Sequence, residues 1–501
     1  MESSRVSRIS DAALQRLQAI AKDGRFATVL EIVGGIAGAE VFLVGGAVRD
    51  AIIGSGDIRD LDVVVRGASL DELSDALADR GAVSMVGKSF GVLKFRLAGA
   101  HGDVDIAWPR TERAGMSGGY RDFAVQSDPE LPIERDLERR DFTVNAIAWR
   151  PTDGSLVDPF GGLADIDAKL LRAVGDAHAR FAEDHSRMLR GLRFACQLGF
   201  EIEPQTWKAI RERMPHIDDM HDAENGKERV VPYETVAKEL VKAMDADPAH
   251  AAHLLYDSGA LLRLIPELAP LSSCGQSPDH HSEGDVWTHT LLALLKLRGP
   301  EFAELFPGEK PTAETSVAVM LHDIAKPQTA ARDGDKITFY GHAERGAEIV
   351  HAVARRLRLA STGIDADRIA WLVKMHLFPN LVELDSVKRT TLEKHFLDDP
   401  VAGRSLLHLA CADALASVRP DGSTDLSTLR RLLVELRDVS SKRMPDGKSM
   451  LTGDEVMNAL RLGPGPEIGS ILDALKEAQL RGDVANEEQA RAFILARHKA
   501  E

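Results

Sequence analysis

Cysteine is nearly absent. Cys196, Cys274 and Cys411 are the only three in 501 residues, and they are too far apart to form a CxxC pair. This excludes a disulfide framework and a cysteine-built zinc site, and leaves buried free thiols as the expectation. Long apolar runs are also missing: stretches such as Leu291 to Leu295 fall far short of the roughly 20 residues that a bilayer span requires. The opening residues Met1-Glu2-Ser3-Ser4-Arg5 carry no apolar stretch of the secretory kind. A soluble, cytoplasmic protein with no membrane partner is therefore expected. Positive charge is in deficit as well, and a net charge of −16 argues by itself against a nucleic-acid partner. The local distribution argues the other way. Arg135, Arg139 and Arg140 cluster, followed by Arg180, Arg187, Arg190 and Arg193, which would give an acidic chain a basic face.

What is present suffices for several packed cores: 44% of the residues are hydrophobic and 28% charged, and the length suggests about three domains. Val41-Phe42-Leu43-Val44 reads as a buried strand closed by Gly45-Gly46, with a helix from Val48. Leu61-Asp62-Val63-Val64-Val65 is β-branched and strand-like, and Ser69-Leu70-Asp71-Glu72 has the spacing of a capping box that opens a helix to about Arg80. Strands follow at Val92 to Leu97 and Val104 to Trp108, around a turn at Ala98 to Gly102. From Ile166 onward helical periodicity dominates, broken by a proline- and serine-rich linker at 270–285 and again near Arg419 to Thr424. The fold class is α+β: a small mixed α/β head followed by a long all-α body.

Gly45-Gly46, between a strand and a helix, lets backbone amides approach a triphosphate at a helix N-terminus, with Arg49 one turn further on. Asp60 and Asp62, spaced i, i+2 where the next strand starts, send both carboxylates to one face. Like charges so placed repel unless a cation sits between them, and an all-oxygen donor set suits Mg²⁺. Asp105, on a neighbouring strand, supplies a third carboxylate. Two ions held by such a trio would activate a hydroxyl and stabilise a leaving pyrophosphate, which is nucleotidyl transfer.

Val44-Gly45-Gly46-Ala47-Val48-Arg49-Asp50, followed by Asp60-Leu61-Asp62-Val63-Val64-Val65, resembles the first motif of the bacterial-type CCA-adding enzymes and poly(A) polymerases, class II of the polymerase β superfamily. Arg139-Arg140-Asp141-Phe142-Thr143-Val144-Asn145-Ala146 is similar to that family's RRDFTxNA segment; on a helix, Asp141 and Asn145 would share a stripe facing the nucleotide. Asp158-Pro159-Phe160-Gly161-Gly162 resembles the hinge between head and neck, and Glu228-Arg229-Val230 with Glu234 resembles the ERVxxE element. Glu183-Asp184-His185-Ser186-Arg187 matches the EDxxR motif with which the family reads the incoming base. Asp184 can accept and Arg187 donate from one helical face. The resemblance implies Asp60, Asp62 and Asp105 as catalytic residues. It implies Gly45, Gly46, Arg49, Asp50, Arg139, Arg140, Asp141, Asn145, Asp184, Arg187 and Arg190 as nucleotide-binding, with ATP and CTP as donors and the tRNA 3′ end as acceptor.

His289, His322-Asp323, His342, His376 and Asp413 occur in the order H, HD, H, H, D of the HD phosphohydrolase superfamily, whose domains follow the head in one branch of the CCA-adding family. Imidazole and carboxylate donors suit Ni²⁺, Mn²⁺ or Mg²⁺, with Asp323 shared between two ions. The resemblance implies phosphoesterase activity on RNA ends. It also implies an organisation of a helical extension at 1–40, the head at 41–165, a nucleotide-reading and RNA-binding neck at 166–270, the HD domain at 280–418 and a helical tail at 425–501. The tail, from Leu451-Thr452-Gly453 to Ile471, resembles the C-terminal segment of the HD-bearing members and would help hold RNA.

Arg110-Thr111-Glu112-Arg113 and Gly118-Gly119 lie in what resembles the flexible loop of CCA-adding enzymes. Val86-Gly87-Lys88-Ser89-Phe90-Gly91 lacks the arginine-rich character of a poly(A) polymerase. Full CCA addition is favoured on these grounds. Poly(A) synthesis or partial CC or A addition is the alternative, and an HD phosphohydrolase with an RNA-binding head is the more distant one.

Overall fold

The structure, a computed structural model, describes residues 9–56, 60–86, 92–114, 118–119, 123–223, 226–333, 336–444 and 447–500. Met1 to Arg5, positions 87–91, and positions 115–117 and 120–122 of the loop-like segment lie outside the described residues. The chain divides into two compact units, Met1–Asp247 with Leu254–Leu264, and Pro248–His253 with Ile265–Glu501.

The first unit is built on a seven-stranded mixed sheet. Its strands are β1 (Glu40–Val44), β2 (Leu61–Arg66), β3 (Gly81–Val86), β4 (Val92–Leu97), β5 (Val104–Ala107), β8 (Ala148–Trp149) and β9 (Leu156–Val157), in the spatial order β3-β4-β5-β2-β1-β8-β9. Strands β1 and β2 are apolar and covered on both sides, so they occupy the middle, where Val41 to Val44 and Val63 to Val65 are all buried. β2 runs parallel to β5 and antiparallel to β1. The expected helix at Leu70–Ala78 opens on the Ser69/Glu72 capping box. Arg16, on the helix Asp11–Ala21, donates to the Ala51 and Ile52 carbonyls and so satisfies the end of the helix Gly46–Ile53. The segment read as a loop after Trp108 contains a two-stranded hairpin, β6 (Arg110–Ala114) against β7 (Phe123–Ser127). Neither Arg110–Ala114 nor Phe123–Ser127 alternates apolar with polar residues, so the sequence carries no strand signal there.

The mixed sheet gives way to helices Ala177–Glu183, Ser186–Leu198, Pro204–Arg213 and Tyr233–Ala246. Gly191 is needed where the helix Ser186–Leu198 crosses Phe142, because an added Cβ would lie 3.0 Å from that ring. Phe142 packs edge-on against Phe194, with centroids 5.9 Å apart, which ties the RRDF segment to the helix bearing the arginines.

Among the described residues the second unit is helical apart from a short hairpin, Ala331–Asp333 with Lys336–Thr338. Helices Val286–Lys296, Ala313–Leu321, His342–Arg356, Ala366–Met375 and Pro400–Ala416 pack on one another. The last of these buries nearly every residue, including Cys411. The expected linker at 270–285 is not free chain: Pro266–Ser273 forms a 3₁₀ helix that buries Leu268 and Leu271, and Val286 N–H donates to Cys274 O. Prolines there punctuate the backbone without preventing burial of the leucines between them. The terminal helices Gly453–Leu460, Pro466–Arg481 and Glu487–Ala500 bury Val456, Ile471, Leu475 and Ile494 in a core of their own. All three cysteines are buried free thiols, and no helix among the described residues is long and apolar enough to cross a membrane.

Candidate functional site

Gly45 ends β1 with φ +70°, a conformation that glycine adopts without strain, and turns the chain into the helix Gly46–Ile53. A Cβ there would lie 2.8 Å from Arg140 Nη1 and 3.7 Å from Asp62 Oδ2, so the turn leaves room for a cation and a carboxylate at one spot. Asp62 on β2 is the register partner of Asp105 on β5, and Asp60 borders the same cleft of about 1090 Å³. The Asp62 carboxyl is raised above its usual range by the protein crowding around it and by Asp105 and Asp60, with Arg140 opposing. A divalent cation would relieve that excess of negative charge, which is the test that an oxygen-ligated ion site has to pass. Lys94 holds Asp105 at 2.9 Å. Sequence reading missed Lys94, although its register pairing with Asp105 is the kind of cross-strand match that alternation on β4 could have suggested.

The opposite wall is a chain of buried polar side chains. Arg49 donates from Nη1 to Asn145 Oδ1 at 2.6 Å and from Nε to Asp50 at 2.8 Å. Asn145 donates to Asp141 Oδ1 at 3.2 Å, and Arg190 clamps Asp141 Oδ2 at 2.6 and 2.9 Å. Burial alone would raise the Asp141 carboxyl; Arg190, Asn145 and Arg187 overcome it and hold it down at about 2. A depressed carboxyl stabilises the fold above the ordinary carboxylate range, and that contribution disappears as pH falls through about 2. Asp141 and Asn145 meet as the spacing suggested, but not on the expected helix. Ile133–Glu138 ends before them and Thr143–Asn145 is a 3₁₀ turn, because Phe142 must leave the helical path to enter the core at 0% exposure.

Arg139 and Arg140 both bond Asp136, at 2.7 and 3.1 Å. Asp136 is fully buried; burial would raise its carboxyl, but the two guanidiniums hold it below the usual range. It was missed in the sequence, although its i, i+3 and i, i+4 spacing to the arginines is a readable signal. Asp184 does not share a continuous helix with Arg187. It ends Ala177–Glu183 and accepts from Ser186 N–H at 2.8 Å, while Arg187 in the next helix bonds Glu183 at 2.6 Å and donates to Arg139 O. Arg193 pairs with buried Glu239. Of the arginines expected to form a basic surface, Arg139, Arg140, Arg187, Arg190 and Arg193 line the cleft, each with an acidic partner, whereas Arg135 is exposed and pairs with Glu138.

In the second unit, five helices and the turn at 339–342 bring His289, His322, Asp323, His342, His376 and Asp413 together. Asp323 Oδ2 lies 3.1 Å from His322 Nε2 and 3.9 Å from His289 Nε2, whereas Oδ1 lies 3.4 Å from His342 Nε2 and 3.9 Å from His376 Nε2. The carboxylate therefore stands between two ligand sets. His322, His342 and His376 each donate from Nδ1 to a main-chain carbonyl, at 2.7, 2.7 and 2.6 Å, so their Nε2 atoms carry lone pairs when neutral. Burial lowers His342 and takes His376 down to about 4, which keeps both neutral. His342 and His376 Nε2 then face each other at 3.3 Å with no proton between them, and His322 Nε2 and both Asp323 oxygens have no hydrogen-bond partner among the described residues. Lys326 Nζ lies 2.7 Å from Asp323 Oδ2, an ion-pair distance off the hydrogen-bonding direction. Converging, unsatisfied lone pairs of this kind fit metal ions. Sequence reading missed Glu283, His281 and Lys326, although Lys326 stands i, i+3 from Asp323.

A family model described as the poly A polymerase head domain matches residues 41–172, and an HD domain model matches residues 287–415. The A-adding tRNA nucleotidyltransferase of Deinococcus radiodurans is 33% identical over 469 residues, which is 90% of this chain and 94% of that protein. The multifunctional CCA protein of Alkalilimnicola ehrlichii is 38% identical over 323 residues, 64% of this chain and 70% of that one. Among solved structures, the Bacillus stearothermophilus CCA-adding enzyme in complex with CTP is similar in fold, with a TM-score of 0.58 and 23% identity over 95% of this chain and 98% of that one.

Proposed function

The chain belongs to the bacterial CCA-adding family of tRNA nucleotidyltransferases, and from this premise we propose that it extends the 3′ end of tRNA with CTP and ATP, without a template. The observation that carries the reading is the pairing of Asp62 with Asp105 beside the Gly45 turn and the Arg140 guanidinium. Asp60, Asp62 and Asp105 would hold Mg²⁺, which supplies activation of the attacking 3′ hydroxyl and charge neutralisation of the leaving pyrophosphate. The Gly45-Gly46 turn offers backbone amides to the triphosphate at a helix N-terminus. Arg139 and Arg140, aimed by Asp136, place fixed positive charge on that side of the cleft. Asp184 and Arg187 present an acceptor and a donor to the polar edge of cytosine or adenine. Arg187 is held by Glu183 and the Arg139 carbonyl, so it reads the base from a set position.

Purified protein with Mg²⁺, a tRNA lacking its 3′ end and each labelled nucleotide in turn tests the proposal. Two C followed by one A supports it; failure to incorporate any nucleotide removes it. A second reading, addition of A alone, is favoured by one observation: the relative aligned over 90% of the chain is named A-adding, whereas the multifunctional CCA relative is aligned over 64%. Incorporation of A alone on a tRNA ending in CC, with none of C, decides for it.

Gly45→Ala is expected to raise the KM for the nucleotide roughly tenfold. The left-handed backbone costs about 1–3 kcal/mol with a Cβ, and the methyl displaces Arg140 from its place beside Asp62. Steady-state incorporation at varied ATP measures it. Arg187→Ala should lower discrimination against GTP and UTP by roughly ten- to hundredfold, the 1–3 kcal/mol of one good reading contact, while tRNA affinity by gel shift changes less. Unaltered discrimination would take Arg187 out of base recognition.

We propose further that the second unit is a metal-dependent phosphoesterase acting on RNA ends. His289, His322, Asp323, His342, His376 and Asp413 would hold two divalent ions of the Mn²⁺, Ni²⁺ or Mg²⁺ type, which supply an activated water and a Lewis acid. Lys326, buried and held by Gln276 at 2.7 Å, adds a fixed positive charge beside Asp323 for a phosphate to meet.

A further inference from the structure

Three of the four histidines of the histidine–aspartate site are oriented by the backbone alone. His322 and His376 cap the ends of helices Ala313–Leu321 and Ala366–Met375, where the last carbonyls lack intrahelical partners, and each folds back onto one of them. His342 opens its helix and reaches the Phe339 carbonyl in the preceding turn. His289 differs from all three. It sits in the first turn of Val286–Lys296, where carbonyls are already engaged by the helix, and the one three residues back, Val286 O, also takes the Thr290 hydroxyl at 2.8 Å. Its ring needs an acceptor from elsewhere.

That acceptor is Glu283, whose Oε1 takes the Nδ1–H of His289 at 2.8 Å and of His281 at 2.7 Å. Its other oxygen accepts from Val418 N–H at 3.0 Å. Val418 lies two residues beyond Pro400–Ala416, the helix that carries Asp413, and Asp413 Oδ1 faces His289 Nε2 at 3.1 Å. Ser282 reinforces the tie: its N–H and hydroxyl both donate to Val418 O, at 2.8 and 3.0 Å. One buried carboxylate thus sets the ring orientation of His289 and laces its helix to the end of the helix bearing the neighbouring ligand.

We infer that Glu283 is the positioning residue of the histidine–aspartate site, holding the His289 ring by Nδ1 so that Nε2 is aimed beside Asp413. The inference rests on the metal-binding reading of the second unit. Only a carboxylate serves all three donors. A glutamine would turn its NH₂ toward one of them, and a ring released from Oε1 can rotate or take the other tautomer.

Titration of the full-length, untagged protein with Co²⁺, followed by its visible d–d absorption, tests this, because the band reports imidazole ligation and geometry together with affinity. Glu283→Gln is expected to weaken Co²⁺ binding about ten- to hundredfold and to shift the band, with nucleotide incorporation unchanged. Glu283→Asp, which keeps the charge but withdraws it by one methylene, should give a smaller loss of the same kind, and it decides the matter if the glutamine variant does not fold. Wild-type affinity and spectrum in the variant that folds overturn the inference. If the wild type gives no band that Asp323→Asn removes, the metal reading itself fails and takes the inference with it. A band lost in Asp323→Asn but unmoved by both Glu283 variants sinks the inference alone.

Discussion

Asp62→Asn abolishes nucleotide incorporation, by at least roughly a thousandfold or about 4 kcal/mol in the barrier, while the melting temperature stays level or rises. Two consequences of one geometry are at work. Asp62 lies opposite Asp105 on adjacent strands and shares its cleft with Asp60, so removing its charge takes a donor from the ion site. The same crowding raises its carboxyl above the usual range. A raised carboxyl favours the fold while protonated, and that advantage is lost as pH rises through the folded value, so at neutral pH the ionised side chain opposes folding. A neutral amide removes the repulsion, and stability is traded for activity at this residue. Single-turnover incorporation with Mg²⁺ and a thermal melt without metal measure the two halves. Normal turnover in Asp62→Asn would take the residue out of the ion site and leave the polymerase reading without its support.

The same substitution at Asp323 is expected to have the opposite effect on stability. Asp323→Asn should reduce transition-metal affinity of the second unit by more than about a hundredfold, beyond what loss of an orienting partner costs, and with it any phosphoesterase activity, leaving nucleotide incorporation intact. Asp323 is 1% exposed, with one oxygen toward His289 and His322 and the other toward His342 and His376, so the substitution takes an oxygen from one ligand set and the negative charge from both. Its carboxyl is held well below the usual range: burial would raise it, but His322, Lys326 and His289 prevail. A depressed carboxyl stabilises above its unfolded value, so at neutral pH the asparagine variant loses that contribution. It also leaves Lys326, 7% exposed, without the anion 2.7 Å away. Breaking a buried pair by removing one partner costs about 3–5 kcal/mol, so the metal-free variant should melt several degrees lower. Retained metal binding in Asp323→Asn would show that the carboxylate is a structural counter-ion to Lys326 and nothing more.

The contrast between these two aspartates shows how far local pattern reaches. Asp60, Asp62, the Gly45-Gly46 turn, the Ser69 capping box and the histidine–aspartate series were legible because each is short-range: a spacing along a strand, a turn, a helix start. The same habit of reading misled where a tertiary contact overrides the local period. Asp141 and Asn145 meet through a 3₁₀ turn rather than a helix, since Phe142 between them goes into the core. Arg190 and Arg193 of the helix Ser186–Leu198 pair with Asp141 and Glu239, which come from segments far away in sequence. The hairpin β6–β7 was invisible because neither arm alternates apolar with polar residues.

By itself the amino-acid order determined the α+β architecture, the family and the identity of the carboxylates and imidazoles, because these are carried by spacing within a few residues and by motif order. Only the folded chain decided which of those groups carry a proton, which are paired, and which aim at a common point: Arg190 on Asp141, Arg193 on Glu239, Asp413 beside His289. The physical reason is that charge state and orientation depend on what lies within a few ångströms in space. For groups separated by dozens of residues, that neighbourhood comes into being only when sheet register and helix packing close around it.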